Sequence, residues 1–191
     1  MPAGRGGFHH REMKPPELIA LDGMLLRRWT PADAPTLHAA VLESFEALHP
    51  WMPWAAERPQ ADEQAAFVEL TIGQWDAGEA FVYGIFDPGG ERLLGTAGLH
   101  ARVGPGALEI GYWLHRDHTG KGLMTRAAGA LTDAGFALPG IGRIEIHCDE
   151  ANTASAAVPR RLGYRLDRVE EIGREAPAEI GRRMIWAKTR R

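Results

Sequence analysis

The sequence predicts a mixed α/β (α+β) fold, with a central sheet flanked by helices on both faces. Two observations carry this expectation. The hydrophobic period changes repeatedly between the helical and the strand repeat, giving the order β-α-α-β-β-β-α-β-α-β-β. In addition, 191 residues with 45% hydrophobic and 25% charged content suit one core and leave little room for a second full domain.

Residues 1–22, rich in Gly, Pro, His and charge without periodicity, read as a flexible N-terminal tail, and residues 23–191 as a single domain. "MLLRRW" (Met24 to Trp29) reads as the first strand. Thr30 followed by Pro31 starts a helix as N-cap and first-turn residue, and Leu37, Val41, Phe45 and Leu48 form its apolar stripe. A second helix is expected over Ala61 to Trp75, on Phe67, Val68, Ile72 and Trp75. "AFVYGIF" and "RLLGTAGLHAR" are strands joined by the turn "DPGG", and "LEIGYWLH" (Leu108 to His115) is a third. It runs into "TGKG" and a helix striped by Leu123, Ala127, Leu131 and Ala134, which "PGIG" ends. "RIEIHC" is a further strand and "NTASAAVPRRLG" a short helix. Pro159 should kink that helix or make it start later, because proline donates no helical hydrogen bond. "YRLDRVEEI" and "RRMIWAKT" close the chain as a hairpin.

Composition excludes several classes. Twenty-two basic against 25 acidic residues give a net charge of −3, without the basic footprint of a general nucleic-acid binder. A single cysteine, Cys148, excludes an intrachain disulfide framework and a cysteine-rich zinc site, and a reducing cytoplasm is the expected location. No apolar run approaches the ~20 residues that span a bilayer, and no signal core is seen, so no membrane partner is expected. His115 and His118 read as surface histidines, and no metal is expected. Cys148, at the end of an apolar strand, reads as a buried small hydrophobe rather than a nucleophile.

The chemistry-bearing candidate is the turn Gly120-Lys121-Gly122 between strand and helix. A helix N-terminus presents unpaired backbone N–H groups, and glycine lets a phosphate approach them; a plain tight turn is the alternative. Neither common nucleotide loop fits. GxxxxGK[ST] needs Ser or Thr where Gly122 stands, and GxGxxG meets Thr125.

Taken together, "LEIGYWLH", "TGKGLMTRA" and "NTASAAVPRRLGY" resemble the Gcn5-related N-acetyltransferase (GNAT) superfamily, within it the branch that acetylates ribosomal-protein N-termini, over about Met24 to Thr189. The superfamily's Q/R-x-x-G-x-G/A positions fall on Thr119, Gly122 and Met124, and "GKGLMT" follows the branch pattern, with Thr119, Arg116 and Arg126 departing from it. The resemblance implies a mostly antiparallel mixed sheet of about seven strands and acetyl-CoA as co-substrate. Its pyrophosphate would lie on the turn, which assigns Gly120, Lys121, Gly122, Leu123, Met124 and Thr125 to the cofactor. Trp113, Leu114 and His115 would lie beside the pantetheine, together with Asn152.

Acetyl transfer needs a neutral amine, a stabilised oxyanion and a protonated leaving thiolate. An α-amine of ordinary pKa ~8 needs less help from a base than a lysine amine of ~10.4. Glu109 is the candidate base, directly or through water, with an edge carboxylate in a salt bridge as the alternative. Strand alternation puts it on one face with Gly111 and Trp113. The resemblance gives the oxyanion to a backbone N–H near Tyr112 or Leu114. It gives leaving-group protonation to Ser155 of the N-x-x-S pattern begun by Asn152, the alternative for both being helix capping. Trp51 and Trp54 in "LHPWMPWA" are candidates for the acceptor wall, or for anchoring that loop on the core. The expected partner is an amine acceptor, a protein N-terminus or a small molecule; a non-catalytic acyl-CoA sensor and a homodimer stay open.

Overall fold

The computed structural model describes residues 13–190. Its elements are β1 (Leu18–Leu21), β2 (Met24–Arg28), α1 (Ala34–Leu48), α2 (Ala61–Ala77), β3 (Ala80–Phe86), β4 (Leu93–His100), β5 (Ala107–Leu114), α3 (Leu123–Ala137), β6 (Arg143–Asp149), α4 (Thr153–Arg161), β7 (Arg165–Glu171) and β8 (Arg182–Thr189). The strands form one eight-stranded sheet in the order β1-β2-β3-β4-β5-β6-β8-β7. Every neighbouring pair is antiparallel except β5 and β6.

Alternation along the strands divides the interior between the two faces of the sheet. Val82, Phe86, Leu93 and Trp113 join Leu37, Val41, Phe45 and Leu48 of α1 and Val68 of α2 in one buried cluster. Tyr83, Ile85, Leu99, Leu108 and Ile110 point the other way and pack with Leu123, Ala127 and Leu131 of α3. Thr30 begins the first helical turn as expected: its amide and hydroxyl both donate to Asp33 at 2.8 Å, and Pro31 opens a short 3-10 turn that leads into α1.

The structure departs from the sequence reading in four places. The segment read as a tail contributes β1, an added edge strand that brings the sheet to eight. Leu21 faces Met24 across the two-residue turn Asp22-Gly23, where Gly23 adopts a positive φ of 75°, a strong hairpin signal. Residues 1–12 of the expected tail lie outside the described residues. Phe67, read into the apolar stripe of α2, is 38% exposed, and Ala134 of α3 is only half-buried. The closing hairpin docks through its second strand, with β8 between β6 and β7.

Pro159 is the fourth. The helix starts at Thr153, capped by Asn152, and carries the proline inside it. The missing N–H frees the carbonyl of Ser155, four residues back. That carbonyl accepts instead from the Tyr112 hydroxyl at 3.0 Å, so the proline opens a side-chain link between α4 and β5.

Candidate active site

The parallel ladder between β5 and β6 is short. Ala107 faces Arg143, Leu108 faces Ile144 and Glu109 faces Glu145, and there the pairing ends. Beyond it the strands part around a cleft of about 1040 Å³, lined by Glu109 to Trp113 on one side and by His147, Cys148, Asn152 and Ser155 on the other. The remaining edge of β5 has a defined polarity. The His115 amide donates to Leu94 O of β4 at 2.8 Å, so antiparallel alternation turns the N–H groups of Tyr112 and Leu114 toward the opening. An amide chain lying in the cleft would meet a free strand edge, and a developing oxyanion would meet aligned donors.

The glycine turn follows β5 in the chain and leads into α3. Gly120 and Gly122 have φ of 73° and 71°, and Gly122 is the N-cap of α3. The amides from Lys121 to Thr125 donate to no loop carbonyl or side chain among the described residues, leaving a concave row of donors suited to a diphosphate. Lys121 Nζ lies back on Asp117 O at 3.0 Å. Leu123 and Met124 are buried in the core, so of their polar groups the backbone amides are the ones free for a ligand. Thr125 is half-buried beside them. Leu114 packs against the same core, and Trp113 is buried against α1 and α2 with its edge on the cleft.

His115 departs from its sequence reading. It is 4% exposed rather than on the surface. Its Nε2 lies 2.9 Å from Glu43 of α1, and its Nδ1 accepts from the Asp117 amide at 3.2 Å. The ring braces the strand end against α1 and contributes no side chain to the cleft. It lies 5.5 Å from the His118 ring, centroid to centroid, and no cluster of three metal-ligating side chains occurs among the described residues.

The charged end of the cleft surrounds Glu109, which is 8% exposed and shares a face with Gly111 and Trp113, as the alternation predicts. Arg102 donates to both of its carboxylate oxygens at 2.7 Å. Burial works to raise the Glu109 pKa, but Arg102, with His147 and His100, outweighs it and holds the carboxyl below its usual range. Glu109 is thus both cleft lining and salt-bridged, which makes it a fixed carboxylate with low proton affinity. His147 stands beside it, with Nε2 2.6 Å from Glu145 and Nδ1 3.7 Å from Glu109. Burial, with the Arg102 charge, pushes the His100 imidazole down to about 4.

Sequence reasoning missed Arg102, His100, Glu145, His147 and the hydroxyl of Tyr112. The available signal was alternation. Glu145 and His147 share a face of "RIEIHC", but only the register opposite His100 and Glu145 places that face against Glu109.

At the junction of β6 and α4, Asn152 Oδ1 caps the helix by accepting from the Ser155 amide at 3.1 Å. The Ser155 hydroxyl lies 3.3 Å from Tyr112 Oη and lines the cleft. Capping and cleft lining therefore coexist at this motif. Burial pushes the Cys148 thiol up to about 11, which keeps it protonated at neutral pH.

Trp51 and Trp54 line the cleft mouth, Trp54 49% exposed and 6.2 Å from the Trp113 ring. Ile172, Glu175, Glu179 and Arg183 complete that wall, and the β7–β8 connection is tied to the tryptophan loop by Ala178 N donating to Pro50 O at 2.9 Å.

A sheet that opens beside a carboxylate, followed along the chain by a glycine-turned helix N-terminus, is the architecture of an acyl-CoA-dependent transferase. The acetyltransferase (GNAT) domain matches residues 24–165, and the chain belongs to this family of N-acetyltransferases. It is 30% identical over 146 residues to the putative ribosomal N-acetyltransferase YdaF of Bacillus subtilis strain 168, covering 73% of this chain and 76% of that one. Among solved structures it is similar to RimL, a ribosomal L7/L12 α-N-protein acetyltransferase in complex with coenzyme A, at 26% identity and a TM-score of 0.82 over 91% of this chain and 98% of that one. It is also similar to the Salmonella typhimurium acetyltransferase that modifies the N-terminal serine of L7/L12, at 25% identity and a TM-score of 0.79 over 92% and 100%. No helix among the described residues is long and apolar enough to cross a membrane.

Proposed function

We propose that this N-acetyltransferase transfers the acetyl group of acetyl-CoA directly to a protein N-terminal α-amine of the ribosomal-protein type. The observation that carries this reading is the free β5 edge, with the charged group at Glu109 beside it and the open amides at Gly122 following it in the chain. Acetyl-CoA, when bound, supplies the thioester. The amides from Lys121 to Thr125 hold its pyrophosphate, and the Tyr112 to Leu114 edge pairs with its pantetheine amides. The Tyr112 or Leu114 N–H donates to the oxyanion as the amine nitrogen bonds to the acetyl carbon. Glu109, ionised by Arg102, attracts the acceptor's ammonium. Ser155 donates toward the departing sulfur as the C–S bond breaks. Trp51 and Trp54 wall the acceptor, and an extended N-terminus can lie across this mouth. The RimL relatives, which act on an N-terminal serine or on L7/L12, support the choice of acceptor.

The test is a thiol-release assay with acetyl-CoA against serine- and alanine-starting peptides, polyamines and aminoglycosides. Release with the peptides is expected; release with the small amines alone moves the acceptor to that class. Acetyl-CoA at a hundred times its Kd should stabilise the fold by about 2.7 kcal/mol by mass action, and ATP should not. Absence of any shift at millimolar acetyl-CoA would overturn the reading. Ser155→Ala should lower kcat about a hundredfold, the low end for a proton donor, without weakening coenzyme A; unchanged kcat removes Ser155 from the reaction.

A further inference from the structure

We infer that His147, held by Glu145, accepts the proton from the acceptor's ammonium. This rests on the acetyltransferase reading of the same cleft and identifies the group that makes the amine nucleophilic.

His147 lies on β6 two residues beyond the last pair of the parallel ladder, so its side chain shares a face with Glu145 and meets Glu109 across the opening. Glu145 is 4% exposed, and its two oxygens have separate tasks. One accepts from Arg143 Nε at 2.7 Å, and the other lies 2.6 Å from His147 Nε2. A carboxylate only accepts, so Nε2 carries a hydrogen, and in the neutral form of the ring Nδ1 carries the lone pair. Nδ1 lies 3.7 Å from Glu109 Oε2, beyond hydrogen-bond length. Two acceptors face each other there with no donor between them, which is the complement of an ammonium group.

Their proton affinities differ in the useful direction. Arg102 Nε donates to the same Oε2 that faces Nδ1, and its Nη2 donates to Oε1, which leaves Glu109 a poor proton acceptor. An imidazole, with an ordinary pKa of ~6.5, is far nearer an α-amine at ~8 than a carboxylate at ~4 is. The N–H bond of the ammonium breaks, the Nδ1–H bond forms, and the freed lone pair attacks the thioester carbonyl. The imidazolium is then flanked by Glu145 and Glu109, and at 15% side-chain exposure it passes its proton to water at the mouth. The other charged groups facing this position are His100 of β4, Arg102 and, on the strand paired with β6, Arg183 held by Glu175.

In the full-length chain with a serine-starting peptide, His147→Gln is expected to lower kcat by about a hundredfold at pH 7, the low end for a general base, with the coenzyme A Kd within about twofold of wild type. Its acid limb should then follow the free amine. Glu145→Gln, which removes the charge that holds the ring and also pairs with Arg143, should move the wild-type acid limb to lower pH. Unchanged kcat in His147→Gln, or an acid limb unmoved in both variants, overturns the proposal. A readout independent of turnover is imidazole ¹⁵N chemical shift in the free protein at pH 8. An Nε2–H tautomer with bare Nδ1 is expected, and an Nδ1–H tautomer overturns it. If acetyl-CoA gives no thermal shift, the acetyltransferase reading fails, while the tautomer still decides whether this pair is built to take a proton.

Discussion

Gly122→Val is expected to weaken acetyl-CoA binding by about a hundredfold or more, equivalent to the loss of one or two charge-assisted hydrogen bonds, while the chain still folds. Gly122 caps α3 with φ of 71°, a conformation that costs an ordinary residue about 1–2 kcal/mol and a β-branched one more. Among the described residues, no heavy atom beyond its own chain neighbours lies within 4 Å of where its Cβ would be. The substitution therefore clashes with nothing in the fold; it disturbs the cap and puts methyl groups over the amides that would receive the diphosphate. A fall in Tm of about 3–6 °C is expected for a chain of this size. Isothermal titration with acetyl-CoA reads the effect, and undiminished affinity would mean that the turn is not the pyrophosphate site.

The glycine turn illustrates what was legible from the sequence. The strand before it, the helix after it and the apolar stripe Leu123, Ala127 and Leu131 are local patterns, because pleat and helical repeat are properties of neighbouring residues. The parity of β5 followed from alternation alone, and it placed Glu109 on the face it shares with Gly111, beside His100 and Arg102. Local signals could also be present and outweighed, as at Asp22-Gly23, where composition suggested a tail and a two-residue turn made a hairpin.

What was hidden is set by pairing between distant strands. The end of the β5–β6 ladder at Glu109 has no local signature, yet it creates the cleft. Likewise nothing near Glu109 announces Arg102 or Glu145. Seven residues separate Arg102 from Glu109 around a turn, and Glu145 arrives by a parallel crossover through α3. His115 was misread because exposure at a strand end depends on what crosses it, here Glu43 of α1. Pro159 was read as a defect. Its freed carbonyl is instead what Tyr112 uses to link β5 to the Ser155 helix.

The pairing at Glu109 sets the second large effect. Arg102→Met should destabilise the fold by about 2 kcal/mol at pH 7, below the 3–5 kcal/mol seen when a fully buried pair is broken, because the Arg102 side chain is 57% exposed. The sign of the pH dependence should also reverse. In the wild type the Glu109 pKa is held below its unfolded value, so its contribution is complete above about pH 4.3 and is lost as pH falls through the lower, folded value. Without Arg102, burial, already the largest single influence, is no longer outweighed and raises the folded pKa above the unfolded one. Glu109 then favours folding in its protonated form and disfavours it as pH rises through the folded value. The gap between wild type and variant should be widest near neutrality and close toward pH 4. Burial and the Arg102 charge keep His100 neutral in the fold down to about pH 4, so it destabilises the wild type as pH falls from 6.5; removing Arg102 relaxes part of that shift and narrows the gap further on the acid side. A gap that is constant with pH would mean that Arg102 supports the fold by packing alone. In that case the carboxylate it touches would be free to serve as the base, and His147 would lose its reason to act.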